Sequence, residues 1–172
     1  MIENIPLIIN NKSATIGEKI ASIYIPKVIS TNALLQVSSY KLFSKKTGRP
    51  IQRLAASKAY ENYQIEVEQE LHKQGYHPKL LSQLPTYPVF LHIVYHPPIT
   101  KQGIMFKKYH DLGNLEKAIS DVLQGNTKKQ YGYFFADDKQ IVGILSQLGK
   151  NSHTSKPFLT VTIYKVNIND QN

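Results

Sequence analysis

The chain has 172 residues, of which 41% are hydrophobic and 19% are charged, a globular composition long enough for one domain with its own core. It contains no cysteine, which excludes disulfides, thiolate metal sites and a cysteine nucleophile. No apolar run approaches the roughly 20 residues that span a bilayer, so we expect no membrane partner.

Basic residues outnumber acidic ones, with 21 Lys plus Arg against 12 Asp plus Glu and a net charge of +9. Such a surplus favours a polyanionic partner, because neutralised phosphates release their counterions. All but two of these cations, Arg49 and Arg53, are lysines. Lysine is a point charge suited to backbone phosphate, which favours recognition of nucleic-acid shape over base sequence. A compositional lysine bias that serves only solubility is the alternative.

The N-terminal third is predicted to contain one strand and one basic loop. Residues 1–22 have no strong pattern and form either an appended strand or a loose arm. Residues 23–29, IYIPKVI, are rich in β-branched side chains with Pro26 inside, which predicts an edge or bulged strand. Glycine and proline interrupt residues 40–53, so we expect a loop or hairpin tip there.

Two helices are predicted in the rest of the chain. Residues 54–75 form the first and stop at Gly75, and residues 112–124 form the second. The apolar side of the first helix is predicted to contain Leu54, Ala55, Ala59, Ile65 and Leu71. The apolar stripe of the second contains Leu115, Ile119, Val122 and Leu123.

Three strands are predicted around these helices. Residues 87–96 are strand-like and end at a Pro-Pro pair, residues 131–136 form a short aromatic strand, and residues 158–166 alternate cleanly as the last strand.

The acidic residues concentrate in one window. Four of the five aspartates, Asp111, Asp121, Asp137 and Asp138, lie within 28 residues that are flanked by lysines. Carboxylates in a basic field suit a cation-dependent phosphodiesterase, in which acids hold the metal and lysines hold the substrate. Turn and cap chemistry, which uses aspartate freely, is the alternative.

These aspartates are predicted to meet at one cleft. Asp111 starts the second helix, and Asp137 and Asp138 end the aromatic strand. Carboxylates there suit Mg²⁺, and Lys117 on the polar helix face would stabilise charge that develops on a phosphate. The alternative for Lys117 is an exposed salt bridge to Asp121, worth roughly 0.3–0.5 kcal/mol.

At these residues the chain resembles the RusA-type Holliday-junction resolvases. Their pattern is D-x-D-N-x-x-K, an Asp four residues on, and then a strand that ends in D-D-x-Q-[IV]. Residues 111–121 read D-L-G-N-L-E-K-A-I-S-D, and residues 134–142 read F-F-A-D-D-K-Q-I-V. Together with IPKVISTN and FLTVTIYKV, the likeness covers roughly residues 23–166. It divides the chain into an extension or arm, residues 1–22, and a resolvase domain, residues 23–172.

The resemblance implies one small α+β domain in which two main helices pack on a mixed β-sheet. It also implies a homodimer that binds four-way DNA junctions and cuts symmetric strands with Mg²⁺ or Mn²⁺. A cytoplasmic location follows, associated with the nucleoid or with a phage or prophage.

The resemblance also assigns site residues. Asp111 and Asp138 match metal-ligand aspartates, Asp137 is the acidic neighbour, and Lys117 matches the catalytic lysine, so the implied catalytic set is Lys117, Asp111 and Asp138. The implied DNA-binding residues are Asn114, Lys45, Lys46, Arg49, Arg53, Lys107, Lys108, Lys128, Lys129 and Lys150.

The chain departs from the pattern at Gly113, which stands where the family has its second metal-ligand Asp. Either the site is rebuilt with Glu116, Asp121 or Asp137, or the protein binds junctions without cutting them well. Three functions stay open: a junction endonuclease, a catalytically silent branched-DNA binding protein, and a structural or interaction domain with a merely soluble surface.

Overall fold

A mixed five-stranded sheet with two helices against one face forms the centre of the fold. The computed structural model describes residues 5–28, 35–37, 42–43, 50–51, 54–98, 112–126, 128–150 and 156–169. In chain order the elements are β1 (Leu7–Ile9), β2 (Lys12–Ile25), β3 (Leu35–Val37), β4 (Leu42–Phe43), β5 (Pro50–Ile51), β6 (Leu54–Ala56), α1 (Lys58–Lys73), β7 (Lys79–Leu80), β8 (Val89–His96), α2 (Leu112–Leu123), β9 (Tyr131–Gly132), β10 (Ile141–Leu148) and β11 (Phe158–Ile168).

The strand order in the main sheet is β1-β2-β11-β8-β10. The first three pairs are antiparallel, and β8 pairs with β10 in parallel. A parallel pair needs a crossover, and α2 lies in the connection between these two strands. The two helices and the mixed sheet confirm the predicted α+β fold.

The larger core lies between the sheet and the helices. Alternate residues of the strands point to it, as Leu91 and Ile93 of β8 and Val161 and Ile163 of β11 do, and all four are nearly inaccessible to solvent. From α2 the buried side chains include Ile119, Val122 and Leu123, three of the four residues of the predicted apolar stripe.

A second, smaller cluster covers the opposite face of the sheet. It is built on Ala14, Ile16, Phe90 and Val166, against which side chains of β1 and β10 pack. The ladder between β2 and β11 has register shifts near Tyr164, so the buried positions change phase along both strands.

The sequence left residues 1–22 as either an appended strand or an arm. In the structure, residues 7–9 form β1 and residues 12–22 belong to β2. The proposed boundary between residues 22 and 23 falls inside β2, and the division into extension and resolvase domain stays a prediction. The strand ends at Ile25, so Pro26 follows the strand and does not lie inside it as predicted. Proline has no N–H to donate to the ladder.

Helix α1 is shorter than predicted and buries a different side. Residues 54–56 form β6, and the helix begins after the N-cap Ser57. Ala59 and Ile65 of the predicted apolar side are exposed. Leu71 of the predicted side is buried as expected, and the helix buries Tyr60, Tyr63 and Val67 beside it.

The predicted stop of α1 at Gly75 is confirmed. Gly75 adopts a φ of 84°, its N–H donates to His72 O, and Tyr76 N–H donates to Leu71 O. This pair of hydrogen bonds is a Schellman motif, in which glycine takes the left-handed position without strain.

Residues 40–53 contain the two short strands of a hairpin, because Leu42 and Phe43 pair antiparallel with Ile51 and Pro50. Next to it along the chain, β3 pairs antiparallel with β6. The structure thus bears out the hairpin that the sequence predicted, while the cations between β4 and β5 lie outside the described residues.

No helix in the described part of the chain is long and apolar enough to cross a membrane.

Candidate active site

Half of the predicted site residues fall within the described part of the chain. Lys117 lies on α2, and Asp137 and Asp138 lie just before β10. Asn114 belongs to the first turn of α2, but its side chain lies outside the description. The residues that fall wholly outside the described ranges are Asp111, Lys45, Lys46, Arg49, Arg53, Lys107 and Lys108.

Helix α2 and the turn before β10 border one open pocket of about 410 Å³. Glu116, Lys117 and Ser120 line it from the helix, and Asp138 lines it from the turn. The floor is the start of β10, residues 141–144. The structure therefore brings Lys117 and Asp138 to one pocket, together with a second carboxylate, Glu116.

The pocket side of α2 follows from helical spacing. Ile119, Val122 and Leu123 are buried against the sheet, which leaves Glu116, Lys117 and Ser120 along the margin of the apolar stripe. The Ser120 hydroxyl donates to the Glu116 backbone carbonyl at 2.8 Å, so it is satisfied within its own helix. Within the described residues the Glu116 carboxylate has no ion pair.

The turn that carries Asp138 is fixed by capping. Asp137 is the N-cap of a short 3₁₀ helix, residues 138–140, and its carboxylate accepts a hydrogen bond from Lys139 N–H at 2.9 Å. This backbone hydrogen bond, with a further contribution from Asp138, lowers the pKa of Asp137. Asp137 is exposed and is not among the residues that line the pocket.

Gln140 attaches the same turn to the loop before β8. Its Oε1 accepts from Ala136 N–H at 2.8 Å and from Asp137 N–H at 3.1 Å. Its Nε2 donates to Pro85 O at 2.8 Å and to Tyr87 O at 3.0 Å. Four hydrogen bonds thus use both donors and both acceptor positions of one amide, which holds Asp138 at a set place beside α2.

Lys117 makes the salt bridge that was its predicted alternative. Its Nζ lies 2.6 Å from Asp121 Oδ1, one turn further along α2. The other carboxylate oxygen of Asp121, Oδ2, accepts a hydrogen bond from the Tyr60 hydroxyl of α1 at 2.9 Å. Burial, followed by the charge of Asp121, raises the pKa of Tyr60, so this phenol stays protonated as a donor.

The predicted DNA-binding lysines in the described residues lie outside the pocket. Lys128 and Lys150 are exposed. The Nζ of Lys129 lies 3.0 Å from Glu68 Oε1 and 5.5 Å from the centroid of the Tyr131 ring. Burial opposes the charge of Lys129, but its contacts with Glu68 and Tyr131 raise its pKa overall. Lys129 therefore makes its described contacts within the protein. A role of Lys128, Lys129 and Lys150 in binding DNA stays a prediction.

A larger hollow, of about 570 Å³, lies beside the loop that follows α1. Tyr76, Tyr87 and Phe134 are among its lining residues, and none of the described residues that line it is a carboxylate. The smaller pocket differs from it in having carboxylates and an ammonium group, the groups that suit metal-dependent phosphodiester chemistry. In the described residues no group of three acidic or imidazole side chains has the arrangement of a metal site.

Three residues that matter to this geometry were not among the site residues assigned from the sequence. Gln140 stands inside the D-D-x-Q segment, and its fixed place after two aspartates was the available signal. Glu116 was one of three candidates to rebuild the site, with nothing in the sequence to choose among them. Tyr60 gave no signal, because its partner Asp121 is 61 positions away in the chain.

Comparison with protein families places the chain in a class of DNA-cutting enzymes. Residues 37–164, about three quarters of the sequence, match the family model described as endodeoxyribonuclease RusA. The chain belongs to the RusA family, whose members are endonucleases that resolve Holliday junctions, as the motifs at residues 111–121 and 134–142 indicated. The match includes both helices, β8 and β10, and therefore the whole described pocket. A search of curated proteins gave no match.

Proposed function

We propose that this chain resolves four-way DNA junctions by paired nicks that depend on Mg²⁺ or Mn²⁺, working as a homodimer in the cytoplasm in a nucleoid or phage setting. The observation that carries the proposal is that Lys117 and Asp138 line the same pocket. Lys117 matches the family's catalytic lysine, and Asp138 matches its later metal-ligand Asp. One active site cuts one strand at a time, so symmetric nicks require two copies.

The donors at the pocket fit a hard divalent cation. Mg²⁺ takes oxygen ligands and usually keeps several waters beside one or two carboxylates. Glu116 and Asp138 supply such oxygens, and about 410 Å³ leaves room for waters and a phosphate group. When bound, such an ion supplies Lewis-acid polarisation of a phosphoryl oxygen and a lower pKa for an attacking water. Asp111 completes the proposed ligand set from the start of α2.

Glu116 is our choice for the carboxylate that Gly113 lacks. It follows Gly113 by three positions, which puts both on one face of α2. The two other candidates are engaged elsewhere: Asp121 accepts from Lys117 and Tyr60, and the Asp137 carboxylate caps its own turn. Only Glu116 of these three lines the pocket beside Asp138.

Lys117 would bind the phosphate that is cut. Its ammonium group has three N–H donors, and one of them is directed to Asp121. The other two are available to phosphate oxygens, and more than half of the side chain is exposed, at 56%. A positive charge held beside the reacting phosphate stabilises the negative charge that develops in the transition state.

The test is cleavage of a synthetic four-way junction, compared with a linear duplex of the same sequence, in Mg²⁺ and in Mn²⁺. We expect paired nicks in the junction. Asp138→Asn, Asp111→Asn and Lys117→Met should each lower the cleavage rate about 100-fold, with junction binding retained. Glu61→Gln, which neutralises an exposed carboxylate on α1, is the control and should cut at the wild-type rate. A bound junction that is never cut in either metal would refute the nuclease proposal.

The choice of Glu116 has its own readout, the affinity for Mn²⁺ by titration calorimetry. Glu116→Gln should weaken Mn²⁺ binding, and Gly113→Asp in that background should restore it, because a carboxylate returns to the same helix face. Equal Mn²⁺ affinity in wild type and Glu116→Gln would exclude Glu116 as the replacement.

The second candidate is a protein that binds branched DNA without cutting it, and the observation that favours it is Gly113 itself. It predicts junction binding with a steep salt dependence, because the contacts are to phosphates, and no cleavage by the wild type. Cleavage that first appears in Gly113→Asp would decide for this candidate. Absence of any DNA affinity at about 0.1 M salt would favour a structural or interaction domain.

A further inference from the structure

Helix α1 is linked to Lys117 of the candidate active site through Asp121. We infer that Tyr60 and Asp121 are positioning residues for Lys117, fixing the place of its ammonium group in the pocket; this inference rests on the proposed function. The Lys117 cluster consists of these three residues. Its contacts run from the Tyr60 hydroxyl to Asp121 Oδ2 at 2.9 Å and from Asp121 Oδ1 to Lys117 Nζ at 2.6 Å.

The cluster differs from an ordinary surface salt bridge in its burial gradient. The side chain of Lys117 is 56% exposed and that of Asp121 is 21% exposed, while Tyr60 is only 7% exposed. A lone exposed pair must order two side chains for a weak attraction in water. Here one carboxylate oxygen is already held by a buried hydroxyl, so Asp121 presents its other oxygen to Lys117 in one orientation.

Tyr60 is itself held by the beginning of α1. Its backbone N–H donates to the Ser57 side-chain Oγ at 3.0 Å, which is the N-cap hydrogen bond of the helix. Its ring lies 6.4 Å from the ring of Tyr63, with only 22° between the planes. The position of the Tyr60 hydroxyl is therefore set by a capped first turn and by ring packing, and it reaches Lys117 through Asp121.

The same helix offers a matched control. Tyr63 is one turn further along α1 and is fully buried, and its hydroxyl has no hydrogen-bond partner in the described part of the chain. Tyr60→Phe and Tyr63→Phe remove the same atom from the same face of one helix. Only the first removal breaks a contact that leads to Lys117.

The experiment separates junction binding from the cutting step. Each variant is bound to a four-way junction in excess protein without divalent metal, the affinity is measured by gel shift, and cleavage is started with Mg²⁺ or Mn²⁺. Tyr60→Phe should lower the single-turnover rate about tenfold, because a misplaced catalytic group loses its alignment, while the affinity changes less than about twofold. Tyr63→Phe should keep the wild-type rate.

A double variant shows whether Tyr60 acts through Asp121. Asp121→Asn should lower the rate at least as much as Tyr60→Phe, and Tyr60→Phe in the Asp121→Asn background should add little further loss. Additive losses would show that Tyr60 acts by another route and would overturn the inference. Equal rates for Tyr60→Phe and Tyr63→Phe would overturn it as well, with the nuclease activity intact. A wild type that binds the junction without cutting it refutes the proposed function and the inference together.

Discussion

The amide of Gln140 offers the sharpest test of how the candidate site is held. Gln140→Glu keeps the Oε1 acceptor for Ala136 and Asp137 but removes both N–H donors to Pro85 O and Tyr87 O. Each hydrogen bond contributes about 1 kcal/mol net, and a buried carbonyl left without a partner costs about 1–3 kcal/mol. Because a carboxylate would also face two carbonyl oxygens, we expect a loss of about 2–4 kcal/mol in the free energy of unfolding.

The assay is equilibrium unfolding in urea followed by circular dichroism, with Gln83→Glu as the matched control. Among the described residues, Gln83 uses only its Oε1, which accepts from Leu80 N–H at 3.3 Å at an exposed position. This control keeps its acceptor and should change the unfolding free energy by less than about 0.5 kcal/mol. A Gln140→Glu variant as stable as the control would show that the two donated hydrogen bonds do not hold the turn. Cleavage should fall in parallel, because Asp138 lies in that turn.

Three further outcomes concern stability. Tyr63→Phe should raise the free energy of unfolding by up to about 1 kcal/mol, because it removes a buried hydroxyl that has no hydrogen-bond partner among the described residues, whereas Tyr60→Phe should lower it. The reverse order would contradict the hydrogen-bond assignment. Gly132→Ala should cost about 2 kcal/mol or more, because a Cβ there would lie 2.5 Å from the Cα of Gly125. At Gly75 an added Cβ would meet open space, so Gly75→Ala should lose only about 1 kcal/mol, because of its positive φ. Equal urea midpoints for the two alanine variants would be evidence against the close contact between Gly132 and Gly125. Burial raises the pKa of both Tyr60 and Tyr63, so the unfolded chain releases their protons first as the pH rises. The contribution of these two tyrosines to stability should therefore be constant below about pH 9 and fall above about pH 10, and the unfolding midpoint of Tyr63→Phe should fall less steeply over that alkaline range.

The parts of the fold that local patterns encode could be predicted from the sequence. Helix α2 has its apolar stripe at helical spacing, and α1 ends at a glycine that takes the left-handed position. The side of α1 that is buried could not be predicted from aliphatic residues alone. Tyr60 and Tyr63 occupy the core, while Ile65 is 51% exposed. Tyrosine is intermediate in its preference for burial, so a pattern of aliphatic side chains misses it.

The part of β2 before residue 23 lacked a readable pattern for a different reason. Ala14 and Ile16 face one core, whereas Ala21, Ile23 and Ile25 face the other. The irregular ladder with β11 shifts the alternation between these groups, so no single period of two runs through the strand. Strand β10 was missed because Gly143 interrupts its apolar run, and the aromatic segment 131–136 is strand only at residues 131–132.

For the candidate site, the residues could be predicted from the sequence, but the contacts that hold them in place could not. The acids, the lysine and the motif order could be read from neighbouring positions in the chain. Two sets of contacts join residues more than 50 positions apart, and no spacing rule predicts them. They are the hydrogen bond between Tyr60 and Asp121 and the hydrogen bonds from Gln140 to Pro85 and Tyr87. The selection of Glu116 over Asp121 also needed these contacts, since one partner of Asp121 comes from another helix.

The pairing of β2 with β11 has a consequence for synthesis of the protein. Residues 12–25 acquire their long hydrogen-bonded neighbour only from residues 158–168, so the sheet stays incomplete while a ribosome still holds the later segment. Strand β8 also borders β11, and β10 depends on β8 in turn. The sheet against which α2 and the turn of Asp138 lie is therefore complete only after residues 158–168 have left the ribosome.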